Sequence, residues 1–140
     1  MNFEILGNTE HLKKAGNILI IQSKEATARI WIYSDSIIRI NVSKAFDDTD
    51  RSFAVIQQPA RDFEFTESDE EITIAIKAIQ LQISKNPLRF NFYNAEGKPL
   101  GGDDDRFGIN WQGDRVINYR KLYPDEKIIG LGEKTGNLNK

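Results

Sequence analysis

The chain has no cysteine. Disulfides, thiolate zinc sites and a cysteine nucleophile are therefore excluded. Its only histidine is His11, in the polar segment Glu10-His11-Leu12-Lys13-Lys14. Serine–histidine chemistry would have to use it, and the Gly-x-Ser-x-Gly elbow is missing. We expect His11 to be a solvated surface residue. No apolar run approaches the ~18 residues of a membrane-spanning helix, so no membrane partner is expected. Met1 to Gly7 lacks the basic start and apolar core of a signal peptide. The expected location is thus cytoplasmic. No single sign of charge dominates: the formal net charge is −2, with acids and lysines interspersed. Without a basic face, nucleic-acid binding by phosphate neutralisation is not expected. The sequence also lacks a fixed-period repeat, a Ser/Gly linker and any helical pattern of ten residues.

What is there is alternation. Apolar residues make up 39% and charged residues 29% of 140 residues, enough for one ordinary domain. Asn17 to Gln22 is expected to form a first strand and Glu10 to Lys14 a single helical turn before it. Thr27 to Ser34 places Ala28, Ile30 and Ile32 on one face and Arg29, Trp31 and Tyr33 on the other. Both faces are partly apolar, so this strand should be covered on both sides and Trp31 should lie in the core. Ile37 to Ser43 returns after the turn Ser34-Asp35-Ser36. Short strands are expected at Phe53 to Gln57 and Asp62 to Phe65. Ile72, Ile74 and Ile76, then Ile79, Leu81 and Ile83, make the clearest hairpin, aliphatic on one face and polar on the other. Leu88, Phe90 and Phe92 continue it after Asn86-Pro87. Gly101 to Arg106 is expected to be a loop. Arg115 to Leu122 and Lys127 to Leu131 close the series. Nine or ten short strands with turns every eight to twelve residues define an all-β antiparallel sandwich or barrel.

Few residues look chemical. Asp47-Asp48-Thr49-Asp50 lacks the glycine, the glutamate and the helices of a calcium loop, so no metal and no cofactor is expected. Asp103-Asp104-Asp105 is an acidic loop. A solvated loop is the plainer reading of it. Trp111 could fill the core or lie at the surface.

The last stretch, Lys127-Ile128-Ile129-Gly130-Leu131-Gly132-Glu133-Lys134-Thr135-Gly136-Asn137-Leu138-Asn139-Lys140, is the most specific. A phosphate loop needs Gly-Lys-Ser/Thr after four spacer residues, but Glu133 separates Gly132 from Lys134. A dinucleotide fingerprint needs its third glycine one residue earlier than Gly136. A glycine-rich turn at a strand end is the unspecific alternative. The run resembles the "Gly-Leu-Gly-Glu-Lys … Leu-Asn" segment of glycoside hydrolase family 31, which includes α-glucosidases and α-xylosidases. Ile38-Arg39-Ile40, Ile79 to Pro87 and Phe92 to Leu100 resemble other segments of that family, in the same order.

The resemblance implies a galactose-mutarotase-like β-sandwich over residues 1–140. Residues 130–140 would begin the connection to a catalytic (β/α)₈ barrel of the same polypeptide. It implies a retaining mechanism with two aspartates on that barrel. The family's nucleophile follows a Trp-x-Asp-Met-Asn-Glu pattern, whereas the only methionine here is Met1. No catalytic residue is therefore expected in this chain. Gly130, Gly132, Glu133, Lys134 and Asn137 become candidates for the substrate loop or domain junction. Asp103, Asp104, Asp105 and Trp111 are weaker sugar-contact candidates. The implied function is that of a non-catalytic domain of an α-glucosidase acting on oligosaccharides, or of an α-xylosidase. Self-association through an exposed barrel-docking face is a further expectation. A free-standing carbohydrate-binding sandwich is the alternative.

Overall fold

The computed structural model describes residues 3–45, 56 and 60–127. Among these residues there are twelve strands and no helix. A four-stranded antiparallel sheet joins β2 (Thr9–Ala15), β3 (Ile18–Ser23), β4 (Thr27–Ser34) and β5 (Ile37–Ser43) in that order. A five-stranded sheet has β6 (Thr66–Glu67) at one edge, followed by β7 (Glu71–Ala75), β8 (Ile79–Lys85) and β9 (Leu88–Asn94), with β10 (Pro99–Gly102) at the other edge. A third sheet joins segments far apart in the sequence. In it β11 (Ile109–Gln112) lies between β1 (Glu4–Ile5) and β12 (Arg115–Asn118).

The alternation explains the pairing. In the first sheet Leu19 faces Ile30, and Ile30 faces Ile40. In the second, Ile72 faces Ile83, which faces Phe90. These rows, together with Ile109 and Trp111 of the third sheet, form one buried core. Fully burying such an aliphatic side chain stabilises by roughly 1.5–3 kcal/mol. A one-residue slip would turn a whole row outward, so the registers are strongly specified.

Several expectations change. Glu10 to Lys14 is not a helical turn but part of β2, with Leu12 opposite Ile21. Pairing with β3 outweighs local propensity, and the lysines suit an edge strand. Asp62 to Phe65 forms no strand. Instead the Arg61 N–H donates to the Ile32 carbonyl at 2.7 Å, and the strand follows at Thr66–Glu67. Gly101 and Gly102, expected in a loop, complete β10, while β12 stops at Asn118. β1 and β11 have too short a pattern to be read from sequence. Trp31 is half-buried on the outer face of β4 rather than in the core, with the Arg39 guanidinium 4.9 Å from its ring centroid. The expected strands Phe53–Gln57 and Lys127–Leu131 fall outside the described residues, save for Ile56 and Lys127, as does the loop 47–50.

Candidate functional site

The acidic loop lies where the second and third sheets join. Asp103 directly follows β10 and still pairs with β9. Its N–H donates to the Phe90 carbonyl at 2.9 Å, and its Oδ2 accepts the Phe90 N–H at 2.9 Å. The residue is only 1% exposed. Its carboxylate lies 3.7 Å from the Arg120 guanidinium. Burial pushes the Asp103 carboxyl above its usual range, against the pull of the Phe90 N–H and of Arg120, Arg89 and Lys121.

Its two neighbours have other tasks. Asp104 Oδ1 accepts the N–H groups of Arg106 at 3.0 Å and Phe107 at 2.8 Å, closing the turn. Asp105 is exposed and pairs with Lys121 at 2.7 Å. That hydrogen bond raises the Lys121 pKa above its usual value.

The centre of this region is Arg89, which alternation assigns to the polar side of β9. It is buried instead, because the loop closes over it. Its guanidinium donates to the carbonyls of Leu88 (2.8 Å), Asp104 (3.1 Å), Leu6 (3.2 Å) and Arg106 (3.4 Å). One side chain thus ties β9, the N-terminal segment and the loop together. The nearby acids raise its pKa but burial outweighs them, leaving it below the usual value. Gly108 makes the close approach possible. Its φ is +49°, and a Cβ there would lie 2.6 Å from Arg89 Nε. Gly108→Ala is expected to destabilise the chain by about 2 kcal/mol, through backbone strain and displacement of the guanidinium. A urea melt unchanged from wild type would contradict this account. The sequence signal for Arg89 is faint: a glycine- and aspartate-rich segment long enough to fold back over its strand.

Trp111 is 5% exposed and belongs to the core, with Lys44 Nζ 5.3 Å from its ring centroid. Lys44 also pairs with Glu4, linking the end of β5 to β1. Gly130, Gly132, Glu133, Lys134 and Asn137 lie outside the described residues. Among the described residues, no three of the Asp, Glu and His side chains gather as metal ligands would. A retaining glycosidase holds two carboxyls about 5 Å apart across a pocket. Asp103, Asp104 and Asp105 are engaged otherwise: one is buried, one closes a turn, and one is matched by lysine.

Fold and side-chain chemistry together define an all-β sandwich domain whose acidic cluster is occupied in holding its sheets together. The chain belongs to the glycosyl hydrolase 31 N-terminal galactose mutarotase-like domain family, whose model matches residues 27–140. It is 25% identical over 139 residues to alpha-glucosidase 2 of Bacillus thermoamyloliquefaciens, covering 96% of this chain and 17% of that protein. A Flavobacterium johnsoniae dextranase of glycoside hydrolase family 31, solved with isomaltotriose, superposes with a TM-score of 0.86 at 24% identity, covering 97% of this chain and 18% of that one. The cycloalternan-forming enzyme of Listeria monocytogenes, in complex with a pentasaccharide substrate, gives 0.75 at 14% identity, over 99% of this chain and 14% of that one. At these identities the two solved structures show a shared fold. The chain spans about a sixth of the length of these relatives.

Proposed function

We propose that this chain is the non-catalytic N-terminal domain of a retaining α-glycosidase. Its substrate is a terminal α-linked glucose, with an α-linked xylose as the alternative. The domain supports a catalytic barrel supplied by the same polypeptide and helps to shape its substrate pocket. Gly130, Gly132, Glu133, Lys134 and Asn137 are its candidates for the substrate loop or the domain junction. One observation carries this reading: nearly the whole chain aligns with a small part of an α-glucosidase. The commitment of Asp103 and Asp104 to backbone hydrogen bonds supports it. A free-standing carbohydrate-binding module is less well supported, since Trp111 is buried and Arg39 lies over Trp31.

The test is release of p-nitrophenol from the α-glucoside and the α-xyloside. This chain and its full natural reading frame are assayed side by side, with isomaltotriose as a third substrate. Only the longer protein is expected to turn over, and the better substrate names the enzyme. Asp105 is the most solvent-facing of the four weaker sugar-contact candidates, its side chain 81% exposed. Asp105→Ala in the longer protein is expected to leave kcat unchanged and at most to raise KM. Hydrolysis by the 140-residue chain itself would overturn the reading.

A further inference from the structure

The outer face of the five-stranded sheet carries two rows without charge. The registers place Thr66, Thr73, Gln82, Asn91 and Gly102 side by side across β6 to β10. Ala75, Gln80, Tyr93 and Pro99 make the next row. Both rows turn away from the buried Ile74, Leu81 and Phe90. Neither row holds an ionisable acid or base of the Asp, Glu, Lys, Arg or His type, in a chain that is 29% charged. The outward face of the four-stranded sheet, by contrast, carries His11, Lys13, Arg29 and Arg39. Among the described residues, the side chains of Gln80, Gln82 and Tyr93 make no hydrogen bond, and Asn91 Oδ1 is enclosed without one. All four residues are half-buried, so packing on the sheet narrows their rotamers.

Two walls bound this floor. Along one side the loop carrying Asp104 and Arg106 folds over Arg89. At the β10 edge Tyr123 approaches. A Cβ on Gly102 would lie 2.3 Å from Asn91 Oδ1 and 3.5 Å from the Tyr123 hydroxyl, so the missing side chain lets amide and phenol converge. The nearest charges are already engaged. Lys121 pairs with Asp105 at 2.7 Å, and Glu71 accepts the Thr73 hydroxyl at 2.9 Å. An ionic ligand therefore gains little here. Side-chain amides offer donors and acceptors at once, and a phenol adds a flat apolar face with a polar tip. That combination suits a neutral ligand dense in hydroxyls. We propose that this floor binds an α-linked oligosaccharide, held by the amides of Gln80 and Gln82 between Tyr93 and Tyr123. The proposal takes its ligand class from the glycosidase reading under Proposed function. It adds a site on a face to which that reading gives no task.

The experiment is hydroxyl-radical footprinting of the full natural reading frame, read by mass spectrometry. The protein is titrated with isomaltotriose and, separately, with maltotriose. Free phenylalanine added to each sample matches the radical dose, and the pulse follows mixing at once. Labelling of Tyr93 and Tyr123 is expected to fall and saturate with at least one sugar, while Ile37, 53% exposed at the start of β5, stays constant. Gln82→Ala removes a side chain that bonds nothing in the domain, so the fold should survive. It should raise the sugar concentration for half protection about tenfold. Equal labelling of Tyr93 with and without either sugar would overturn the proposal. So would a Tyr93 that is unlabelled before sugar is added, because the face would then be covered already. Protection that Gln82→Ala leaves unchanged would overturn it too. The p-nitrophenol assay is independent of this readout. Turnover without protection refutes the site alone, and protection without turnover refutes the proposed activity alone.

Discussion

Arg89→Ala is expected to lower the stability of the chain by about 3–4 kcal/mol, a large effect for a single polar substitution. Its guanidinium satisfies four carbonyls on three separate segments: Leu6, Leu88, and the loop carbonyls of Asp104 and Arg106. Removing it leaves buried acceptors unpaired and opens a cavity under the loop. Opposing this, burial of the cation has its own cost, visible in its lowered pKa. We expect the hydrogen bonds to outweigh that cost, because they fix the Leu6 segment and the 104–108 loop at once. Urea denaturation should show a midpoint lower by at least about 1 M for a domain of this size. Arg89→Lys should recover less than half of the loss, since one ammonium cannot span four carbonyls. Arg89→Met is the decisive variant. If it matches or exceeds the wild type, the buried charge costs more than its bonds return, and the central role given to Arg89 is wrong.

Asp103→Ala is expected to cost about 3 kcal/mol. It leaves the Phe90 N–H without its side-chain acceptor and removes the carboxylate nearest Arg120. Asp103→Asn keeps an acceptor for Phe90 and should cost much less near neutral pH. The two variants differ most usefully in their pH dependence. The folded-state pKa of Asp103 is raised above its usual value of 3.8, chiefly by burial. The folded state therefore holds this proton more tightly than the unfolded state does. This group's contribution to stability is full below the unfolded pKa and is lost as pH rises through the folded pKa. Other carboxylates act in the opposite sense. Asp62, whose pKa is lowered by its hydrogen bond from Lys14, loses its contribution as pH falls. The informative quantity is thus the stability of wild type minus that of Asp103→Asn. That difference should decrease as pH rises from the unfolded pKa and level off above the folded one. A difference that increases over the same interval would mean that the ion pair with Arg120 dominates burial.

The central hairpins of the two sheets that carry most of the core were legible residue by residue, whereas the edge strands β2, β6 and β10 were not. Ala28, Ile30 and Ile32, then Ile72, Ile74, Leu81 and Ile83, are both the alternating apolar positions and the buried ones. The hairpin of β4 and β5 follows from its turn residues, and the observed register sets Ala28 opposite Val42 and Ser34 opposite Ile37. Such pairings are local: each strand meets its sequence neighbour, so spacing and turn chemistry are sufficient. The family, too, could be read from the sequence, from ordered segments ending in Gly130 to Lys134, and the match over residues 27–140 bears it out.

Only the tertiary structure decided the third sheet and the cluster beside it. β1 and β11 are two and four residues long and are separated by more than a hundred positions. No local pattern can announce such a pairing. Arg89, Asp103 and Trp111 look polar, acidic and aromatic in sequence, yet all three are buried because a distant segment closes over them. The sequence by itself determined the alternation, the local hairpins and the absence of a recognisable catalytic motif. The fold determined which charges face the interior, because burial depends on contacts between segments far apart in the chain. Periodicity within one segment carries no information about those contacts.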